Sequence, residues 1–119
     1  RELRSKHWGA RADDDLFEQL THEMVPGAAE IVDSYLYGEI WHRSPLTPKE
    51  RMVMILSVLM CRQHFKQLKR QIGYALDAGL TQHEICEAFA QCGWYRGWPH
   101  VEDALEVAKE VFSARAGMK

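Results

Sequence analysis

A chain of 119 residues with 46% hydrophobic side chains carries enough apolar material for one core and is too short for two. Fifteen Lys and Arg against seventeen Asp and Glu give a formal charge of -2, which excludes a global basic field for nucleic acid or an anionic membrane. The longest apolar run, Met52 to Cys61 broken only by Ser57, is roughly half of the ~20 residues a membrane-spanning helix requires, so it reads as a buried helix of a soluble protein.

One domain over residues 1–119 is therefore expected. Arg1 to Arg11 is charged and has no apolar signal region. Cys61, Cys86 and Cys92 make an odd count without a Cys-x-x-Cys pair, which argues against a disulfide framework, a zinc site or a thioredoxin-like dithiol. A cytoplasmic location is the expectation that follows. Cys86 and Cys92 fall on one predicted helix about 9 Å apart along its axis and cannot pair there.

The predicted elements are all helices. Asp13-Asp14-Asp15 caps a first helix running to about Met24, and Pro26-Gly27 turns the chain. Ile31, Tyr35 and Leu36 continue at helical spacing toward Ile40, so a second helix ends near Trp41. After Arg43-Ser44-Pro45, Thr47-Pro48-Lys49-Glu50 opens the next helix with an N-cap, a proline at the first helical position and a capping-box Glu. Met52 through Met60 leaves almost no polar face, which suits a bundle centre or a subunit contact.

Helical rotation sorts the following segment into strips. Cys61, Phe65, Leu68, Ile72 and Leu76 form a packing stripe, with Arg62, Lys66, Lys69 and Arg70 on the opposite side. His64, Gln67 and Gln71 fall together on the rim between them. Gly79 ends this helix, and Thr81 with Glu84 caps one carrying Ile85, Phe89 and Cys92. Gly93 to Pro99 reads as an aromatic break, after which a last helix buries Val101, Leu105, Ala108 and Phe112.

These residues, in order, resemble the carboxymuconolactone decarboxylase family, whose all-helical fold is shared with the alkylhydroperoxidase AhpD group. The matching features are Gly38-Glu39-Ile40-Trp41, Leu46 before Glu50-Arg51, Gln67-Leu68-Lys69, Ala75-Leu76 with Ala78-Gly79, Glu84-Ile85 with Glu87, and Tyr95-x-Gly97-Trp98-Pro99 followed by Ala104 and Ala108. They are strongest over residues 35–112. The resemblance implies a bundle of about six helices that assembles with itself as a trimer or hexamer, with sites near subunit contacts. In the peroxidase branch the corresponding helix carries Cys-x-x-Cys-x-x-x-His, with a Glu on the helix before. By register this chain has His64, Gln67, Gln71 and Met52 at those positions, so the thiol chemistry of that branch is not expected. The decarboxylase branch commonly keeps a His where this chain has Gln71.

The namesake reaction needs no metal or organic cofactor, because the lactone itself accepts the electron pair left by the departing carboxylate. The protein must bind an anion, stabilise an enolate oxygen and deliver a proton to carbon. His64 is the candidate donor, since imidazole titrates near neutrality, and Gln67 and Gln71 are candidate hydrogen-bond partners of the substrate. Arg62 is the candidate carboxylate ligand, and Glu39, Trp41 and Tyr95 are candidate pocket residues. His7, His22, His42, His83 and His100 show no metal-ligand spacing. The expected activity is a cofactor-independent lyase acting on a small organic acid or lactone, by decarboxylation or a related proton transfer. A catalytically silent or ligand-binding homo-oligomer is the alternative, and a peroxide reductase is the least favoured. The blander roles are a solvated His64 and solvated glutamines, and a core or subunit-contact role for Trp94 to Trp98.

Overall fold

The computed structural model describes residues 20 and 23–117, and every regular element among them is helical. The all-α class is as the spacing predicts. Most of the helix expected from Asp13 to Met24 lies outside the described residues. None of the described helices is long and apolar enough to cross a membrane.

The chain divides into two compact units, one ending at Pro48 and the other beginning at Lys49. In the first, α1 (Ala28–Ile31) follows Gly27 and runs directly into a π-helical turn over Val32–Tyr37 and a 3-10 turn over Ile40–His42. A π turn places more residues in each turn than an α-helix, so it rotates the side chains out of the phase a 3.6-residue repeat predicts. Ile31, Tyr35 and Leu36, which helical spacing joins in the sequence, are exposed, while Tyr37 and Trp41 are buried. Those two rings stack with centroids 6.2 Å apart.

The second unit is built from four longer helices. In α2 (Pro48–Cys61) proline takes the first helical position, where its missing N–H costs nothing. Met52, Leu56 and Met60, four residues apart, are fully buried, whereas Met54 and Val58 on the other side are 55% and 54% exposed. The near-continuous apolar run is thus only half used within the chain. In α3 (Phe65–Asp77) Leu68 and Ile72 are buried as the stripe predicts, with Gly73, Tyr74 and Ala75 beside them. Its end is a Schellman reversal: Leu80 N–H donates to the Ala75 carbonyl at 3.0 Å and Gly79 N–H to that of Leu76 at 3.1 Å. Gly79 takes φ +104° there, a conformation that L side chains rarely adopt.

The helix α4 (Gln82–Arg96) opens on the capping box. Glu84 N–H donates to Thr81 Oγ1 at 3.0 Å, and Thr81 N–H donates to Glu84 Oε1 at 2.8 Å. The predicted break at Gly93 does not occur, and α4 continues to Arg96. The chain reverses only at Gly97, φ +126°, into α5 (Trp98–Gly117). Gly93 serves helix packing instead. A Cβ there would overlap Val101 Cγ2 and stand 3.1 Å from the Trp98 ring, so glycine lets α5 lie directly on α4. The buried stripe of α5 is Val101, Ala104, Ala108 and Val111, with Leu105 and Phe112 at its edges instead of its centre. Small alanines at that stripe permit the close packing of α5 against both α4 and α3. Arg115 fixes the far end, donating from Nη2 to the Gly73 carbonyl at 2.7 Å and to Asp77 Oδ1 at 2.8 Å.

Gly93→Ala is expected to destabilise the protein by about 1–3 kcal/mol, through a clash that neither rigid neighbour can relieve. Urea unfolding checks this, with Gly117→Ala as the control because nothing lies within 4 Å of that position. The capping box carries a pH signature. The Thr81 N–H, donating to the Glu84 carboxylate, holds it below its ordinary value of 4.5, with the Lys49 charge adding to the effect. A depressed carboxyl supplies its stability fully above the ordinary value and loses it as pH falls through the lowered one. Amide protection at Glu84 and Ile85 is therefore expected to drop as pH falls below the ordinary value of 4.5, and Glu84→Gln to flatten that dependence.

Candidate functional site

The reversal between α2 and α3 carries two of the candidate residues. It is a second Schellman motif: His64 N–H donates to the Leu59 carbonyl at 3.0 Å, and Gln63 N–H to that of Met60 at 3.1 Å. Gln63 occupies the left-handed position, φ +62°, where glycine is usual. A non-glycine side chain there costs roughly 1 kcal/mol. The structure gives Gln63 a partner in return, because its Nε2 lies 2.6 Å from His100 Nε2 at the start of α5. One turn back on α4, Arg96 Nε donates to the Cys61 carbonyl at 3.1 Å. The α4–α5 junction thus braces the turn at both ends.

His64 sits at the N-cap of α3, with φ -87° and ψ 70°, and its side chain caps nothing. Helical rotation from Cys61 through Leu76 assumes one continuous helix, and the turn at Arg62 to His64 interrupts it. Cys61 belongs to α2, His64 precedes α3, and only Gln67 and Gln71 share a helical face. Arg62 is brought to His64 all the same: Arg62 Nε donates to His64 Nε2 at 3.4 Å. Both residues are exposed, and the contact uses the imidazole lone pair, which only a neutral ring offers.

Gln67 is exposed, one turn before Gln71. Gln71 differs, because its Oε1 is buried and has no hydrogen-bond partner among the described residues. Such an oxygen costs about 1–3 kcal/mol of folding stability until a donor reaches it. Tyr95, at the end of α4, is 89% exposed, and its neighbours Trp94 and Trp98 pack ring to ring with centroids 5.6 Å apart on the surface. Among the described residues Trp94 and Tyr95 lie at the surface, while Trp98 is half-exposed and also packs on Gly93. Glu39 and Trp41 belong to the first unit, Glu39 as an exposed carboxylate 3.8 Å from Arg43 Nη2 and Trp41 as a buried ring on Tyr37. Burial, followed by the neighbouring Cys92, pushes the Cys61 thiol up, and burial, followed by Glu87, does the same for Cys86.

Gln63, Arg96 and His100 escape a reading of the sequence alone. Their contacts span 35 to 37 residues, and no local spacing marks them. Gln71→Leu is expected to raise stability by about 1 kcal/mol in urea unfolding, since it removes a buried acceptor that has no donor.

The profile described as the carboxymuconolactone decarboxylase family matches residues 26–110. The chain is 27% identical over 81 residues to 4-carboxymuconolactone decarboxylase of Acinetobacter baylyi, covering 68% of this chain and 60% of that protein. It is 26% identical over 110 residues to an uncharacterized 15.0 kDa protein of Paracoccus denitrificans, covering 91% and 76%. It is 25% identical over 84 residues to nitrosuccinic acid decarboxylase of Metarhizium robertsii, covering 71% and 59%. The aligned part spans about three-fifths of each named decarboxylase.

Proposed function

The chain belongs to the carboxymuconolactone decarboxylase family, and from that premise we propose that it is a cofactor-independent decarboxylase of a small organic acid or lactone. The names of two relatives support this substrate class. A muconolactone and a nitro acid each set a carboxylate near a group, carbonyl or nitro, that can hold the electron pair left when carbon dioxide departs. An acid with such a built-in electron sink is the proposed substrate.

The buried, partnerless oxygen of Gln71 is the observation that carries the proposal. It is a preorganised acceptor with its folding cost already met, suited to a hydroxyl or an enol O–H of the substrate. Arg62 takes the substrate carboxylate. Engaging it draws the guanidinium from His64 Nε2, and the freed lone pair collects a proton from solvent and delivers it to carbon after carbon dioxide leaves. Gln67, one turn from Gln71, donates its amide N–H to the sink oxygen. Because His64 and Gln67 are exposed in the single chain, a second copy of the chain covers this edge and excludes water in the working assembly.

The same exposure favours a second reading, a homo-oligomer that binds the acid and leaves it intact. Release of carbon dioxide from 4-carboxymuconolactone or nitrosuccinic acid separates the two. Turnover is expected, and His64→Ala is expected to lower it about 100-fold or more while helix content is retained. Binding of these acids without carbon dioxide release supports the second reading, and unchanged turnover in His64→Ala removes the imidazole from the reaction.

A further inference from the structure

Cys61 closes α2, and Cys92 lies on α4 one turn before Arg96, on the same face. Arg96 Nε reaches the Cys61 carbonyl at 3.1 Å, so this face of α4 is held against the end of α2. Cys92 is the neighbour on this face that, after burial, pushes the Cys61 thiol up, and both residues are only partly buried. Cys86, one and a half turns earlier on α4, faces elsewhere and has Glu87 as its charged neighbour. The pair is distinct from the Cys-x-x-Cys spacing on a single helix, since the two cysteines come from different helices 31 residues apart in sequence.

We infer that Cys61 and Cys92 form a redox-sensitive thiol pair that peroxide converts to an intramolecular disulfide tying α2 to α4. The Cys92 thiolate attacks one oxygen of hydrogen peroxide, the O–O bond breaks, and the departing hydroxide takes a proton to become water. The resulting sulfenic acid is attacked at sulfur by Cys61, which gives up its proton as the S–S bond forms and a second water leaves. Two thiols lose two electrons in total, and one peroxide is reduced to two waters. Cys61 attacks as its thiolate, and the Arg96 charge beside it works against the burial that otherwise holds the thiol up. Oxidation acts next to Arg62 and His64, because the turn that carries them begins at the residue after Cys61.

The test treats the full chain with hydrogen peroxide, blocks the remaining thiols and maps the cross-links by mass spectrometry. Trypsin leaves Cys86 and Cys92 on one peptide, so digestion also includes a protease that cuts after Glu87. The expected product is a Cys61–Cys92 link within one chain, reversed by dithiothreitol, with Cys86 free. Cys86→Ser is expected to keep the link, and Cys61→Ser and Cys92→Ser each to lose it. The oxidised form is expected to melt several degrees higher than the reduced one, because the link closes a loop of about 30 residues in the unfolded chain. A link to Cys86, a link only between two chains, or oxidation of Cys92 to sulfinic acid without a link overturns the inference.

Discussion

The missing side chain at Gly93 sets the distance between α4 and α5, and the rest of the second unit is arranged by that contact. With Val101 and Trp98 against its backbone, the pair closes to a separation that no other residue permits. Gly97 then turns the chain within a single residue. The end of α4 and the start of α5 consequently arrive together, presenting Arg96 and His100 side by side. Those two side chains grip the α2–α3 turn, one at the Cys61 carbonyl and one at Gln63. The positions of Arg62 and His64 therefore depend on a helix crossing that neither residue touches.

Holding that turn has a local cost and a local return. Gln63 accepts a left-handed backbone that glycine would adopt freely, and its amide binds a histidine 37 residues away. Glycine would relax the backbone and leave the turn attached to α5 by nothing at that point. Strain at a residue flanked by two chemically active side chains is a recurring arrangement where geometry must be kept. Gln71 shows the same balance in another form, since a buried amide oxygen without a donor lowers stability while remaining ready for one.

Local chemistry was legible and long-range packing was not. Pro48 at the start of α2, the Thr81 and Glu84 capping box, Gly79 at the end of α3 and the Leu68–Ile72 stripe each depend on neighbours within a turn or two, so residue type and spacing suffice. The break before His64 was hidden because glutamine stands where glycine would have marked it. Gly93 misled in the opposite sense: beside aromatic residues it resembled a loop, yet its role was to admit Val101. In the first unit the π turn over Val32–Tyr37 departs from the 3.6-residue spacing that joins Ile31, Tyr35 and Leu36 in the sequence, and the buried residues there are Tyr37 and Trp41. Of the site, Arg62 beside His64 and Gln67 beside Gln71 follow from short separations, whereas Gln63, Arg96 and His100 required the folded chain.

Helices usually fray at their ends, because the last turn has few partners. Here the guanidinium of Arg115 spans from the last turn of α5 to the Gly73 carbonyl and Asp77 carboxylate of α3. Unwinding that turn would strip a charge-assisted bond from a different helix and leave a part-buried carboxylate without its counter-charge. Loss of order at the end of α5 is thereby shared with α3, so the two helices behave as one cooperative block.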